Sequence, residues 1–201
     1  MMELKIREYE GSGDLLAVIG EEDADYLKTV FPDLHILAVS GFDWNDMLSP
    51  WPAEKVFAKG DDFGGRADEL LAALLPKTAR YDRTRHIAGY SLAGLFAVYA
   101  ACRTDLFAGC ASVSGSLWFP GFAEWLEDHP VQCRRLYLSV GDKEKKTKNP
   151  LMSSVETKTE QIAAMFSGKM PVRFETNPGN HFFPPRERMA RAVSWLTGSQ
   201  E

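Results

Sequence analysis

The chain is poor in the residues that mark disulfide-rich or metal-binding proteins. It has three cysteines in 201 residues, Cys102, Cys110 and Cys133, an odd number with no CxxC pair. That excludes a disulfide framework and the common zinc-ligand spacings, and leaves the three as small core residues. No apolar run reaches the roughly 20 residues a membrane-spanning helix needs. The opening MMELKIREYEGSGD is charged throughout and has no leader-like apolar core. Basic charge is not in excess: 23 Lys and Arg face 28 Asp and Glu, a net charge of -5. This argues against nucleic acid or an anionic membrane as the main partner. The one basic cluster, Lys143, Lys145, Lys146 and Lys148, is interleaved with acids and reads as a solvated loop. Neither G-x-x-x-x-G-K-[ST] nor G-x-G-x-x-G occurs, so phosphate-cradling loops of those kinds are excluded. Without linker, repeat or low-complexity tract, the expectation is a single domain over 1–201, cytoplasmic, with no metal and no cofactor.

Apolar runs alternate with amphipathic ones. The spacing predicts strands over 14–20, 34–40, 83–90, 107–115, 133–141 and 170–178, with a possible edge strand over 3–10. It predicts helices over 23–31, capped by Asp23, and over 65–81, 92–102, 122–129, 151–167 and 185–198, with a loop over 41–53. Strands and helices thus alternate about six times. That pattern implies an α/β fold, a three-layer α/β/α sandwich around a mostly parallel sheet. In such sheets ligands sit beyond the carboxyl ends of the strands, so the residues that follow each strand carry the functional reading.

One of those turns is unusual. In IAGYSLAGLFAVYA (87–100) an apolar strand passes into a helix through Gly-Tyr-Ser-Leu-Ala-Gly. Gly89 and Ala93 flank Ser91 two residues to either side, and Gly94 extends the small patch. A serine lifted above a sheet on a tight strand-to-helix turn needs small neighbours there, because strand and helix pass close together. The pattern is G-x-S-x-A in place of G-x-S-x-G. A helix starting directly after Ser91 would aim its N-terminus at the serine oxygen and make the Leu92 N–H an oxyanion donor. The turn after the first predicted strand, near Glu21, is the candidate for a second donor.

A serine hydroxyl is a weak nucleophile and needs a base, and the base needs an orienting acid. Of four histidines, His35 and His86 fall in or at the start of strands and His129 ends a helix beside Pro130. His181 lies in Gly179-Asn180-His181, the loop after the last strand, and is the candidate base. The strand before that one ends in Gly141-Asp142-Lys143-Glu144. Glu144 stands three residues past the glycine and Asp142 directly after it; either carboxylate can serve, with Glu144 favoured by the spacing. The order serine, acid, histidine is that of the α/β-hydrolases, unlike the orders of chymotrypsin and subtilisin.

GYSLAGLFAVYA, YLSVGDKEKKTKNPLM and GNHF together resemble the "Putative esterase" branch of the α/β-hydrolase superfamily, which includes enterochelin-esterase-like and S-formylglutathione-hydrolase-like enzymes. The likeness runs from about residue 14 to the C-terminus. It implies a compact, cofactor-free serine hydrolase that cleaves a carboxylic ester or related acyl bond through an acyl-enzyme. By matched position it implies Ser91 as nucleophile, His181 as base and Glu144 as acid. The chain departs from the pattern in lacking a His-Gly after the first strand, and it is short for the branch.

Four aromatic residues near these turns are candidates to contact the substrate, a small-molecule acyl ester: Trp44 and Trp51 in the 41–53 loop, Trp118, and Phe182 beside the histidine. Asp43, Asp46 and Arg66 could meet a polar substrate. The alternatives are an acyltransferase, thioesterase or peptidase using the same triad, and a non-catalytic binding protein on the same fold. Nothing in the sequence bears on oligomeric state.

Overall fold

The computed structural model describes residues 4–56 and 60–198. The elements in chain order are β1 (Lys5–Tyr9), β2 (Leu15–Ile19), α1 (Ala24–Val30), β3 (His35–Ser40), α2 (Trp44–Leu48), β4 (Pro52–Ala53), β5 (Phe63–Gly64), α3 (Ala67–Ala79), β6 (Arg85–Tyr90), α4 (Leu92–Arg103), β7 (Gly109–Val113), α5 (Phe122–Asp128), β8 (Arg135–Gly141), α6 (Pro150–Ser153), α7 (Val155–Phe166), β9 (Val172–Asn177) and α8 (Pro185–Thr197). Seven strands form one sheet in the order β1-β3-β2-β6-β7-β8-β9. All neighbours run parallel except the edge strand β1, which pairs antiparallel with β3. Glu3, included in the expected edge strand, lies outside the described residues.

Helices cover both faces. Along β2, Ala17 and Ile19 point into a core shared with α3, α4, α5 and α7. Leu16 and Val18 point the other way, into a core shared with α1 and α8. Strands covered on both sides can be apolar throughout, which is why LLAVI reads as a continuous run. In α4 every residue from Leu92 to Cys102 is buried, as expected of a helix apolar all round. The three cysteines are free and buried, and burial pushes the Cys133 thiol up to about 11.

The topology fixes where a crevice opens. From β2 the chain steps outward to β3, then returns across β2 to β6 and continues the other way to β9. The order reverses between β2 and β6, and at such a switch point the connections leave toward opposite faces. Ser91 directly follows β6.

The structure differs from the sequence reading in three local places. The 41–53 segment is not all loop: it holds α2 and β4, and Asp43 caps α2 by accepting from the Asp46 N–H at 2.8 Å. Asp23 stands at the N-cap of α1 but its side chain makes no capping bond. The helix expected over 151–167 is two, α6 and α7, parted at Ser154. Asn149 caps α6 by accepting from the N–H groups of Leu151 and Met152. The Ser154 hydroxyl donates to the Leu151 carbonyl at 2.6 Å, the local side-chain competition that ends short helices.

Candidate active site

A single residue, Ser91, turns the chain from β6 into α4. It does so at φ 59° and ψ −125°, a conformation that costs a non-glycine residue about 1–3 kcal/mol. The surroundings over-determine it. The Ser91 N–H donates to the Val113 carbonyl at 3.1 Å, and the Ser91 carbonyl accepts from the N–H groups of Ser116 and Gly94, each at 3.0 Å. A Cβ on Gly89 would stand 2.3 Å from the Ala93 backbone. Only glycine lets strand and helix approach this closely, so the small residues around Ser91 are a steric requirement of the turn.

His181 lies in the loop between β9 and α8. Its Nε2 is 3.0 Å from Ser91 Oγ and its Nδ1 is 2.8 Å from Glu144 Oε2. The Tyr90 hydroxyl donates to the His181 carbonyl at 2.6 Å, which ties the loop to the residue before Ser91. Glu144 accepts on its other oxygen from the Gly141 N–H at 2.6 Å. Burial pushes the Glu144 carboxyl up, but the His181 bond and charge and the Gly141 N–H outweigh it and hold it below the usual carboxylate value. An ionised carboxylate only accepts, so Nδ1 carries the ring proton. In the neutral ring, Nε2 is then left to accept from the Ser91 hydroxyl. The two partners differ in exposure: the His181 side chain is 30% exposed and that of Glu144 4%.

Asp142, the alternative acid, makes a different contact. It is exposed, and its Oδ1 accepts from the Gly179 N–H at 2.8 Å. It supports the backbone of the histidine loop, while Glu144 meets the ring.

Sequence reasoning missed Arg188. It is fully buried, with Nη1 3.0 Å from Glu144 Oε1 and 2.9 Å from Ser114 Oγ. In PRERMARAVSWL the buried face of α8 is Arg188, Met189, Ala192, Val193 and Leu196. The arginine therefore falls on the apolar stripe, and that spacing was the available signal.

Leu92 is the first residue of α4, where N–H groups lack intrahelical partners. Glu21 follows β2, whose Ile19 is in register with Gly89 of β6. The two chains therefore leave the sheet at about the same level. The Glu21 side chain accepts from Ser40 Oγ at 3.1 Å.

Of the four aromatic candidates, Phe182 is 81% exposed and stands edge-on to His181 with ring centres 5.2 Å apart. Trp44 is 39% exposed and stacks on Phe42. Trp118 is buried against Phe63. Trp51 sits in a cluster with Phe119, Phe122 and Trp125, donates from Nε1 to the Pro120 carbonyl at 3.0 Å, and borders a cavity of about 460 Å³. Asp43 caps α2, and Arg66 pairs with Glu69 at 2.7 Å. A larger groove of about 740 Å³ runs between α1 and α8 past Asp14, Asp33 and Arg191. It contains none of Ser91, His181 and Glu144. Among the described residues no group of His, Cys, Asp or Glu could hold a metal ion, and no helix is long and apolar enough to cross a membrane.

Residues 66–184 match the family described as "Putative esterase", a span of more than half the chain that includes Ser91, Glu144 and His181. The chain belongs to this esterase family. It is a hydrolase of the carboxylic-ester class. A curated relative, the uncharacterized protein YbbA of Bacillus subtilis, is 23% identical over 186 residues, covering 83% of this chain and 74% of that one. Among solved structures, the siderophore hydrolase EstA of Aspergillus nidulans is similar at a TM-score of 0.67 and 16% identity, over 94% of this chain and 83% of its own. The enterobactin and salmochelin hydrolase IroE is similar at a TM-score of 0.65 and 17% identity, over 98% and 95%. At these identities the likeness establishes the fold, that of the α/β-hydrolase esterases.

Proposed function

We propose that this esterase works as a serine hydrolase within one domain, with Ser91 as nucleophile, His181 as general base and Glu144 as the acid that orients it. The observation that carries the reading is the continuous chain of contacts Ser91 Oγ–His181 Nε2 at 3.0 Å and His181 Nδ1–Glu144 Oε2 at 2.8 Å. Ser91 Oγ attacks the acyl carbon while His181 Nε2 takes its proton. The tetrahedral oxyanion is met by the Leu92 N–H at the start of α4 and by an N–H of the turn at Glu21. His181 returns the proton to the leaving alcohol, leaving an acyl-enzyme. A water then gives its proton to His181 and attacks the acyl carbon; the bond to Ser91 Oγ breaks, His181 returns the proton to Oγ, and the carboxylic acid leaves.

The substrate is a small-molecule acyl ester. Trp44 and Phe182, with their exposed rings, contact it, and Trp118 and Trp51 shape the wall behind them. The similar structures include a siderophore hydrolase and an acyl-protein thioesterase, so the fold leaves the choice of acyl and leaving groups to these side chains.

The test is labelling with a fluorophosphonate probe followed by peptide mapping, alongside hydrolysis of short-chain p-nitrophenyl esters. Labelling should fall on Ser91. Ser91→Ala should abolish it and lower kcat by about 10³-fold or more. A folded wild type that neither labels nor hydrolyses would overturn the reading.

A further inference from the structure

The guanidinium of Arg188 is placed unlike that of any surface arginine. It lies on the inner face of α8 with none of its side chain exposed. Burying this charge is costly unless it is both paired and hydrogen-bonded; here both terminal nitrogens are bonded and Nη1 is paired, while Nε is buried without a partner. Nη1 faces Glu144 Oε1 at 3.0 Å, Ser114 Oγ at 2.9 Å and the Tyr90 hydroxyl at 3.4 Å. Nη2 donates to three carbonyls of the histidine loop: Pro178 at 3.0 Å, Asn180 at 3.0 Å and Phe183 at 2.5 Å. Two of these precede His181 and one follows it. One rigid fork thus joins the orienting carboxylate to both flanks of the loop that carries the base.

We infer that Arg188 is a positioning residue for the reaction: it clamps Glu144 and the 178–183 loop into one unit, so that His181 is held ready for proton transfer. The inference rests on the triad reading given above. Ser114 supports the same clamp. It adopts φ 46°, one of two non-glycine residues with positive φ among those described, the other being Ser91, and it is buried with its hydroxyl on Nη1. Room for the clamp is made by Gly141: a Cβ there would come 2.5 Å from the Gly179 carbonyl, 2.9 Å from Glu144 Oε1 and 3.0 Å from Arg188 Nη1. A lysine could not reproduce the arrangement, because it offers three donors at one point where the fork offers two nitrogens in a plane.

The charged and titratable groups around Glu144 are His181 from the loop after β9, Arg188 from α8, and Tyr90 at the end of β6, reached through Nη1. Removing the guanidinium takes away a cation from beside the hydrogen-bonded Glu144–His181 pair, so the pair as a whole takes up a proton more readily. The acid limb of kcat/KM should then move to higher pH.

The experiment compares Arg188→Met and Arg188→Lys with wild type on p-nitrophenyl acetate, with near-UV circular dichroism and thermal melting to confirm folding. For Arg188→Met the expected result is a kcat lower by about 100-fold, a KM within threefold, and an acid limb moved up by about one pH unit. Arg188→Lys should recover about tenfold of the loss. A folded Arg188→Met with kcat within threefold of wild type and an unmoved acid limb overturns the inference. If Arg188→Met does not fold, Arg188→Lys decides. A kcat fivefold or more below wild type at a KM within threefold supports the clamp; a smaller loss with the acid limb in place overturns it. Wild-type labelling at Ser91 separates the two failures. A wild type that is inert overturns the serine reading and this inference with it. An active wild type beside an unimpaired Arg188→Met overturns the inference alone.

Discussion

Two histidine–carboxylate pairs lie at opposite ends of strand β6, and only one of them continues to a serine. At the start of the strand, His86 Nε2 is 3.1 Å from Asp14 Oδ2. Past its end, His181 Nδ1 is 2.8 Å from Glu144 Oε2. The distances are alike; what surrounds the other ring nitrogen is not. His86 is 2% exposed and its Nδ1 is buried without a hydrogen-bond partner, close to Gly109. His181 is partly exposed, and its second nitrogen faces a serine held in a strained turn. A histidine–carboxylate contact is therefore a poor marker of catalysis by itself. What sets the His181 pair apart is a serine hydroxyl on the far nitrogen, partial exposure, and a place at the carboxyl end of the parallel sheet.

The largest effect should come from breaking the two pairs in turn. Glu144→Gln leaves a similar shape but removes the charge that, in the proposed mechanism, stabilises the His181 imidazolium. It should lower kcat by about 10²–10⁴-fold. Asp14→Asn should leave kcat within twofold. Asp142→Asn, which only weakens a bond to the Gly179 N–H, should cost less than about tenfold. If Asp142→Asn proved the more damaging of the two acid-loop changes, the orienting role would pass from Glu144 to Asp142. Steady-state kinetics on one ester across the three variants gives the ranking.

Thermal melting against pH separates the pairs by stability. Burial holds the His86 pKa below its ordinary 6.5, against the opposing pull of Asp14. The unfolded chain then takes up a proton that the folded one resists, so this contribution is complete above pH 6.5 and is lost as pH falls through the folded value. The Glu144 carboxyl is held below 4.5; its contribution is complete above that pH and fails only in stronger acid. The melting temperature should first decline below about pH 6.5 and fall again below 4.5. His86→Gln should remove the first decline. Glu144→Gln should soften the second without abolishing it, because Glu8, Glu69 and Glu124 are also held low by bonds to Tyr81, Arg66 and Lys158. A first decline that persists in His86→Gln would show that another group carries it.

The parts of this arrangement differ in how visible they are in the sequence. The alternation of apolar and amphipathic runs is visible because strands covered on both faces must be apolar along their whole length. The turn at Ser91 is visible because its geometry demands small residues at fixed offsets. Glu144 and His181 are visible only through topology, each standing in the turn after a strand. Arg188 is not visible by residue type, since an arginine in a helix reads as solvated; its burial depends on acceptors from β6, the residue after β7, the β8 turn and the 178–183 loop. The α2 helix escapes because five residues are too few to show a period, and its stability comes from the Asp43 cap. The tryptophans are the least legible. Trp44 and Trp51 occupy one short segment, yet one ring is exposed on Phe42 while the other is locked among Phe119, Phe122 and Trp125. Which ring turns outward depends on partners more than sixty residues away.

The smallest expected effect concerns those outward rings. Phe182 contacts His181 edge-on but leaves 81% of its surface in solvent, so it contributes little to the folded state. Its apolar area can be buried by a bound acyl or aryl group at about 25 cal/mol per Å². Phe182→Ala should leave the melting temperature within about 1 °C of wild type while raising KM by a few-fold for hexanoate or naphthyl esters and hardly at all for acetate. Trp51→Ala should do the reverse: its partly buried ring packs in an aromatic cluster, so the loss falls on stability, by about 1–3 kcal/mol. Equal KM shifts for acetate and the bulkier esters in Phe182→Ala would remove Phe182 from the substrate surface. Its edge-on contact would then serve only to hold the His181 ring.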